Sequence, residues 1–557
     1  LDRAALDLAA ADPTRPQILE AARHVAALQQ TVHGVHLDAI ADGRFTLLNQ
    51  EFDFGGIGNI SWRGEFHEGK NPLRRMTLAY MGYAVPLMAR GRRDDLDLIV
   101  RLLRTLEDQN PFSAPGVFRD VWNAYTVSHR LINLLAGLAL YGEAGGPPDP
   151  VRHAEILDHV RFCAAFVARN PERELQYNHL MKNMVALTFY ASGLEQVPGS
   201  FAILRDGVPR AVRRNILGDG GHAERCPMYH VLALLDVRIL RASGMFADRW
   251  GGLLDDAAGR METALGVLTH PDGDVALFND SWLGEAPPAR DLIDTTHPPA
   301  TARLGETGYV RLGKGNDAVI FDCGPCGPND NPAHAHADFL SLELSVAGKR
   351  LVVDPGVSTY TAGRERDLSR SAKSHNGPHL DGPEPIEFWK SFRVGRRGRA
   401  WELRDDGLAG VAPLWSAGTH DGYAHAKASV CRFIGLWPDR AMMVCDIWRG
   451  RHDFSEASNF LVSGDWSCDV PEDVGPWIFA SSGVRVEVTA LAGHGRDPVP
   501  ARHWTRFGVE EPAHQLVLEP VPSGNIRTAC SWWSWGEGGT PPDEEALAAL
   551  FAKLAAC

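Results

Sequence analysis

The sequence predicts a two-domain protein in which an all-helical N-terminal half is followed by an antiparallel β domain. The chain has 557 residues, and domains commonly hold roughly 100–200 residues around one core. Apolar residues recur at helical spacing up to about residue 300, and short strand-like runs bounded by Gly and Pro begin near Gly308. The predicted domains are therefore residues 1–300 and residues 301–557.

In the N-terminal half, segments of roughly 12–18 residues with one apolar face alternate with Gly, Pro or polar turns. Leu96, Ile99, Leu103 and Leu106 illustrate the spacing of three and four residues that an amphipathic helix requires. We expect on the order of ten helices here, with no long β-alternating run between them. A helical stretch of this length is commonly a solenoid or a toroid of helix pairs.

The C-terminal half consists of short apolar runs separated by Gly and Pro, which favours an antiparallel β-sandwich. The acidic, Ala-rich segment from Pro542 to Cys557 predicts one terminal helix, and the Pro-rich segment 287–299 is the candidate linker. The clearest predicted strands are Tyr309–Leu312, Ala318–Phe321, Leu340–Val346, Arg350–Val353, Ala441–Trp448 and Val484–Val488.

Composition and charge exclude several classes of protein. Hydrophobic residues make up 44% of the chain and charged residues 23%, which is typical of a compact globular protein. The formal charge of −14 argues against a surface that binds nucleic acid as a whole. No apolar run approaches the ~18–20 residues that span a bilayer. The nine cysteines lack the spacing of a disulfide framework, so we interpret most of them as buried thiols.

The densest polar cluster of the sequence lies between Asn331 and Ser341 and contains His334 and His336. If this segment were a strand, the two imidazoles would project to the same face. Asp354 ends the next strand-like run, and His375 follows further on. His336, Asp354 and His375 together form a ligand set that suits zinc and similar divalent ions. The alternative is that all are loop residues with hydrogen bonds of their own.

Two polar groups also interrupt the helical half. Tyr177-Asn178-His179 lies on a predicted helix, and a glycine-rich segment from Asp219 to His230 precedes another. Such a turn lets a ligand approach the backbone closely. Taken singly, a tyrosine such as Tyr229 is more often structural, and an Asn-His pair is more often a helix contact.

In combination, these motifs resemble the heparinase II/III family of polysaccharide lyases. The motif residues are Asn178-His179, Glu224 with Tyr229, His334-Ala-His336-Ala-Asp338, Val353-Asp354-Pro-Gly and His375-Asn376, and the resemblance covers about residues 40–460. It implies an N-terminal incomplete (α/α) toroid joined to an antiparallel β-sandwich, with an acidic polysaccharide held between the two. The implied reaction is β-elimination at a uronic acid, which leaves an unsaturated uronate.

The resemblance also implies the catalytic roles. Asn178, assisted by His179, would neutralise the uronate carboxylate. Tyr229 and His334 would supply the base and the acid, and which residue has which role stays open. A divalent ion, zinc by ligand type, would be bound by three residues, namely His336, Asp354 and His375. We assign that ion a structural role that holds the His334 segment in place, with direct Lewis-acid catalysis as the alternative.

Further residues match the wall of the family's substrate cleft, where aromatic rings stack on sugars and guanidinium groups hold carboxylate or sulfate. They are Trp122, Asn123, Arg130, Glu224 and Arg370. Because the chain is acidic overall and the substrate is a polyanion, we expect positive charge to concentrate around Arg130 and Arg370.

The leading interpretation is a lyase for a uronic-acid polysaccharide of the glycosaminoglycan type, such as heparan sulfate or heparin. An alginate, capsular polysaccharide or exopolysaccharide of bacteria is an alternative substrate, since the segment Leu-Met-Lys-Asn after His179 and the segment Gly-Pro-His379 depart from the family pattern. A non-catalytic polysaccharide-binding protein and a glycoside hydrolase are the rivals, although a hydrolase would need a carboxylate pair. No organic cofactor is expected. We expect a periplasmic or secreted location, although no signal peptide is visible after Leu1 and a cytoplasmic location stays open.

Overall fold

The computed structural model describes residues 8–66, 71–451, 453–470 and 475–556. Contacts between residues divide the chain into two compact units. The helical unit comprises the chain up to Ile216 together with Val231–Met261 and Gly284–Pro287. The β unit comprises Leu217–His230, Glu262–Leu283 and the chain from Pro288 onward.

The helical part of the chain has the amphipathic helices that the apolar spacing predicts. At its centre is α5, which packs against α1, α3, α6 and α7, because its sequence is apolar on nearly every side. The helices are α1 (Pro16–His33), α2 (Leu73–Tyr80), α3 (Ala84–Met88), α4 (Arg93–Gln109), α5 (Ala124–Glu143), α6 (Pro150–Arg169), α7 (Tyr177–Ser192), α8 (Leu204–Asn215), α9 (Pro227–Ala242) and α10 (Ala247–Val267).

A hairpin within the helical unit was not expected from the sequence. It joins β1 (Arg44–Leu47) to β2 (Gln50–Asp53). The two turn residues, Leu48 and Asn49, have φ values of 47° and 63°, as in a type I′ turn. Strands of four residues are too short to show a clear alternation of apolar and polar positions, so the hydrophobic pattern does not predict them.

The β unit contains two large antiparallel sheets and a separate two-stranded sheet of β9 and β10. One large sheet has the order β19-β20-β15-β7-β6-β5-β4-β3 with β8 beside β15, and the other has the order β11-β12-β13-β14-β22-β18-β17-β16 with β21 beside β22. Their strands, with two further helices, are β3 (Thr301–Leu304), β4 (Tyr309–Lys314), β5 (Asp317–Asp322), β6 (Leu342–Val346), β7 (Lys349–Val352), α11 (Arg364–Arg370), β8 (Pro378–Leu380), β9 (Phe388–Trp389), β10 (Arg393–Val394), β11 (Ala400–Glu402), β12 (Leu414–His420), β13 (Ala428–Trp437), β14 (Ala441–Gly450), β15 (Glu456–Ser463), β16 (Ser467–Asp469), β17 (Trp477–Ser481), β18 (Val484–Ala492), β19 (His494–Arg506), β20 (Val509–Glu519), β21 (Val521–Ser523), β22 (Ile526–Ser534) and α12 (Glu544–Ala556).

The two sheets share one apolar core, which makes the β unit a sandwich. Phe460 of β15 and Trp533 of β22 meet with ring centroids 5.2 Å apart, and both side chains belong to the same buried cluster. The terminal helix α12 adds Leu550 and Leu554 to a second apolar cluster on β13, β14 and β22. Among the described residues, no helix is both long and apolar enough to span a membrane.

A buried histidine in the sandwich predicts a loss of stability in mild acid. His420 is 2% exposed, its Nδ1 accepts a hydrogen bond from the backbone N–H of Gly422, and burial lowers its pKa to about 3. The unfolded chain binds a proton at the ordinary histidine pKa of about 6.5, so stability falls as the pH drops below that value. Between pH 7 and pH 5 we expect a loss of about 2 kcal/mol from this residue.

Urea unfolding at the two pH values measures this loss. His420→Asn keeps an acceptor for Gly422 without titrating, so its pH dependence should be shallower by the same amount. An unchanged slope in that variant would contradict the assignment.

Candidate active site

The site of the β unit begins with Tyr229 and His334, whose ring centroids are 4.5 Å apart. Tyr229 lies in the first turn of α9, which Pro227 starts at a position where a missing N–H costs nothing. Both side chains are partly accessible, and that of His334 is 11% exposed. A phenol and an imidazole that touch each other and reach solvent are suited to moving protons on a bound substrate.

The segment that carries His334 is a loop, so the two imidazoles do not share the face of a strand. Asp280 brings the two histidines together instead. Its Oδ2 lies 3.0 Å from His334 Nδ1, and its Oδ1 lies 2.9 Å from His336 Nε2. A carboxylate on Nδ1 fixes the tautomer and orientation of an imidazole, which leaves Nε2 of His334 for chemistry.

Arg366 of α11 balances the charge of Asp280. Its Nη1 and Nη2 both donate to that carboxylate, and neither side chain has any exposed surface. Burial by itself would raise the pKa of Asp280, but the Arg366 guanidinium and the two histidine hydrogen bonds hold it well below its usual value. Burial also lowers the pKa of His336 to about 3. The loop is therefore fixed by a fully desolvated ion pair whose carboxylate also hydrogen-bonds to two imidazoles.

Glu224 is the second carboxylate beside His334, with its Oε1 3.8 Å from His334 Nε2. It is 3% exposed. Burial acts to lower the pKa of His334, but the charges of Glu224 and Asp280 outweigh that effect and the pKa is raised. Glu224 thus faces the catalytic candidate rather than solvent, as a positioning residue would.

The residues predicted to bind a metal are neighbours in the structure. His375 Nδ1 lies 2.9 Å from Asp354 Oδ2, and the rings of His336 and His375 are 5.3 Å apart. His336 Nδ1 and His375 Nε2 are buried without a hydrogen-bond partner. In the described part of the chain, however, no set of three His, Cys, Asp or Glu side chains is arranged around one ion position. The residue types fit zinc but this arrangement does not close a site, so we derive no step through an ion.

Asn178 and His179 lie in the helical unit, in the first turn of α7. The chain enters this helix through Gln176 and Tyr177, with φ values of 56° and 39°, and two successive residues in this region imply local strain. His179 Nδ1 is 3.2 Å from Glu172 Oε1, and its ring lies 4.3 Å from that of Tyr125. Unpaired N–H groups in a first helical turn favour an anion nearby.

Three predicted substrate-binding residues have structural contacts in the helical unit. Trp122 is 3% exposed and donates its Nε1–H to the carbonyl of Asn110. Asn123 caps α5 by accepting from Thr126 N–H. Arg130 is fully buried, with its guanidinium 4.7 Å from the centre of the Trp122 ring.

Arg370, predicted to bind substrate, is also fully buried. Its guanidinium donates to the carbonyls of Ala335 and Ser391 and lies 3.9 Å from the centre of the Phe388 ring. Its hydrogen bond to Ala335 stabilises the loop that carries His334 and His336. Neither Arg130 nor Arg370 supplies the exposed positive charge that we expected of them, because both are buried and donate mainly to backbone carbonyls.

Asp280 and Arg366 were not predicted as site residues from the sequence. Asp280 could have been found, since it follows the apolar run Val275–Phe278 by two residues and a charge beside a buried run usually has a partner. Arg366 gave no signal, because α11 has the composition of an exposed polar helix. Only the tertiary contacts distinguish it from its neighbours.

Comparison with known proteins agrees with this architecture. The structure matches a crystal structure of heparinase III with a TM-score of 0.70 at 14% identity, covering 97% of this chain and 87% of that one. It matches a heparan sulfate lyase HepC mutant from Pedobacter heparinus with a TM-score of 0.61 at 18% identity, covering 96% and 85%. The predicted fold, a helical toroid followed by an antiparallel β-sandwich, is therefore confirmed.

The family follows from the sequence of the β unit. Residues 296–525 match the model of the family described as heparinase II/III-like, C-terminal, so the resemblance to the heparinase II/III family is confirmed and this chain carries its C-terminal domain. A curated relative, the FtsZ-localized protein C of Caulobacter vibrioides (strain NA1000 / CB15N), is 27% identical over 446 residues, which cover 76% of this chain and 72% of that protein.

Proposed function

We propose that this protein is a lyase that cleaves a uronic-acid-containing polysaccharide of the glycosaminoglycan type by β-elimination, in the periplasm or outside the cell. The observation that carries the proposal is the Tyr229–His334 contact, with Nδ1 of His334 held by the buried Asp280. A protein that only bound sugar would need neither a partly exposed phenol beside an imidazole nor a desolvated carboxylate behind it.

In the proposed reaction, one member of the Tyr229–His334 pair removes the C5 proton of the uronate. The electron pair forms the C4–C5 double bond, the C4–O4 bond breaks, and the other member protonates the departing oxygen. Negative charge develops on the uronate carboxylate as the C5 proton leaves. We assign Asn178 to stabilise that charge through its amide, with the first-turn N–H groups of α7 and His179 in support.

The test is the ultraviolet absorbance of the unsaturated uronate. Purified protein is incubated with heparan sulfate, chondroitin sulfate, hyaluronan, alginate and a bacterial capsular polymer, with Asn178→Ala as the comparison. Absorbance that rises with one polymer and falls by about 10²-fold or more in the variant supports the proposal and identifies the substrate. No rise with any polymer, from protein that binds one of them, contradicts it.

Zinc as a structural ion stays a prediction. If His336 Nδ1 and His375 Nε2 are ligands, elemental analysis of the purified protein should find about one ion per chain, and His375→Ala should lose it. Removal of the ion should then lower the melting temperature more than it lowers turnover at a temperature where the protein stays folded. Metal-free protein with unchanged stability would contradict the prediction.

The relative named FtsZ-localized protein C supports a second candidate, a non-catalytic protein that binds polysaccharide or associates with FtsZ. The same incubation separates the two candidates when it is combined with co-sedimentation with FtsZ polymers. Binding without product would favour this second function.

A further inference from the structure

A groove of about 660 Å³ in the helical unit is lined mainly by arginines of α8 and α10. Five of them line it, together with one carboxylate, that of Asp206. The arginines are Arg205, Arg210, Arg213, Arg214 and Arg249. All five are exposed. In a chain with a net charge of −14, this is a concentration of positive charge that Arg130 and Arg370 do not provide.

The acids among the described residues leave part of the positive charge of this groove unpaired. Asp206 Oδ1 is shared by Arg249 Nη2 at 3.5 Å and Arg205 Nε at 4.0 Å. In the described residues, Arg210 and Arg213 have neither an ion pair nor a hydrogen bond through their side chains. Elsewhere in the helical unit, exposed arginines such as Arg104 do have a carboxylate partner. The groove thus has free guanidinium groups.

The helix dipole explains the positions of only some of the arginines in this groove. Cations in the last turn of a helix interact well with its dipole, which accounts for Arg213 and Arg214 at the end of α8. It does not account for Arg210, which lies three and four residues before them on the same face, where like charges repel. An anion in the groove would relieve that repulsion. Guanidinium groups hold carboxylate and sulfate in bidentate fashion.

One contact connects the groove to the start of α7, where the predicted catalytic residue Asn178 lies. The Arg214 guanidinium lies 5.0 Å from the centre of the Tyr177 ring, and Tyr177 directly precedes Asn178 at the start of α7. A polymer that reaches the first turn of α7 therefore has a run of arginines next to it within the same unit.

We propose that the groove formed by Arg205, Arg210, Arg213, Arg214 and Arg249 is a subsite for acidic polysaccharide, which holds sulfate or carboxylate groups of the chain away from the bond that is cleaved. This inference rests on the proposed function for its choice of polysaccharide as the ligand. The charge of the groove favours a polyanion as the ligand, since five arginines and only one carboxylate line it beside Pro209 and Leu253.

Equilibrium binding of size-fractionated heparan sulfate tests the subsite with Arg210→Gln/Arg213→Gln. The matched control is Arg101→Gln/Arg104→Gln, which removes the same charge at the same helical spacing from exposed positions on α4. At low salt we expect the groove variant to bind about tenfold more weakly, because two charge-assisted contacts are lost. The control should bind like the wild type, and the difference should shrink at about 0.3 M salt.

Equal losses in both variants, or no loss in the groove variant, would overturn the subsite. Vesicles with anionic phospholipid and duplex DNA are titrated in parallel, and a loss confined to either of them would mean that the ligand is not a polysaccharide. Because binding is measured without turnover, the two proposals fail separately. Groove-dependent binding without unsaturated product contradicts only the lyase, and product formation with unchanged binding in the groove variant contradicts only the subsite.

Discussion

Replacement of Arg366 by Met is expected to lower the free energy of unfolding by about 3–5 kcal/mol. Asp280 keeps its charge in the folded protein chiefly because the Arg366 guanidinium donates to both of its oxygens, in addition to the hydrogen bonds with His334 and His336. Both side chains are fully buried, so water cannot replace the lost donors. Chemical denaturation at neutral pH measures the loss.

The double variant Asp280→Asn/Arg366→Met is the control, because it removes both charges together. It should recover most of the lost stability, since a neutral buried pair carries no uncompensated charge. A single variant that loses less than about 1 kcal/mol would mean that Asp280 is compensated by other groups. A double variant as unstable as the single variant would mean that packing by the arginine, rather than its charge, is what matters.

Tyr229→Phe and His334→Ala are each expected to lower kcat for the proposed elimination by about 10²–10⁴-fold. The two groups are expected to act in one proton-transfer sequence, so their effects should not add. The variant with both changes should be about as slow as the slower single variant. Initial rates of ultraviolet absorbance on the polymer identified by the substrate panel measure all three.

Tyr423→Phe is the matched control, because it removes one phenol oxygen from a buried tyrosine of the same unit. It should retain normal turnover even if it loses some stability. Normal turnover by Tyr229→Phe would mean that Tyr229 takes no part in the reaction. If the losses of the two single variants multiply in the double variant, the two residues act independently and not in one proton-transfer sequence.

Much of the fold could be predicted from the order of apolar residues. The spacing of Leu96, Ile99, Leu103 and Leu106 defines α4, and the change near Gly308 lies between β3 and β4, the first two strands of the sandwich. These patterns work because burial of one helix face or one sheet face is a local property of the chain. The hairpin at Leu48-Asn49 was not predicted, because its strands are too short to show an alternation of apolar and polar residues.

Candidate site residues could be named from motifs, but their surroundings could not. Tyr229 and His334 are 105 positions apart and touch in the structure, and the motif suggested both. Arg130 and Arg370 also fit a substrate-binding pattern, yet each is buried against backbone carbonyls. The sequence around an arginine does not predict whether its N–H groups donate to a ligand or to a backbone carbonyl.

By itself the sequence determined the order of a helical half and a β half, the family of the C-terminal domain, and the pairing of a tyrosine with a histidine as chemical candidates. Only the tertiary structure decided that Asp280 and Arg366 hold the His334 loop, and that, among the described residues, exposed and unpaired positive charge lies on α8 at Arg210 and Arg213 instead of at Arg130 and Arg370. The physical reason is the distance along the chain over which each property is determined. Periodicity reports burial over a few neighbouring residues, whereas the partner of a buried charge is chosen by contacts between segments that are distant in the chain.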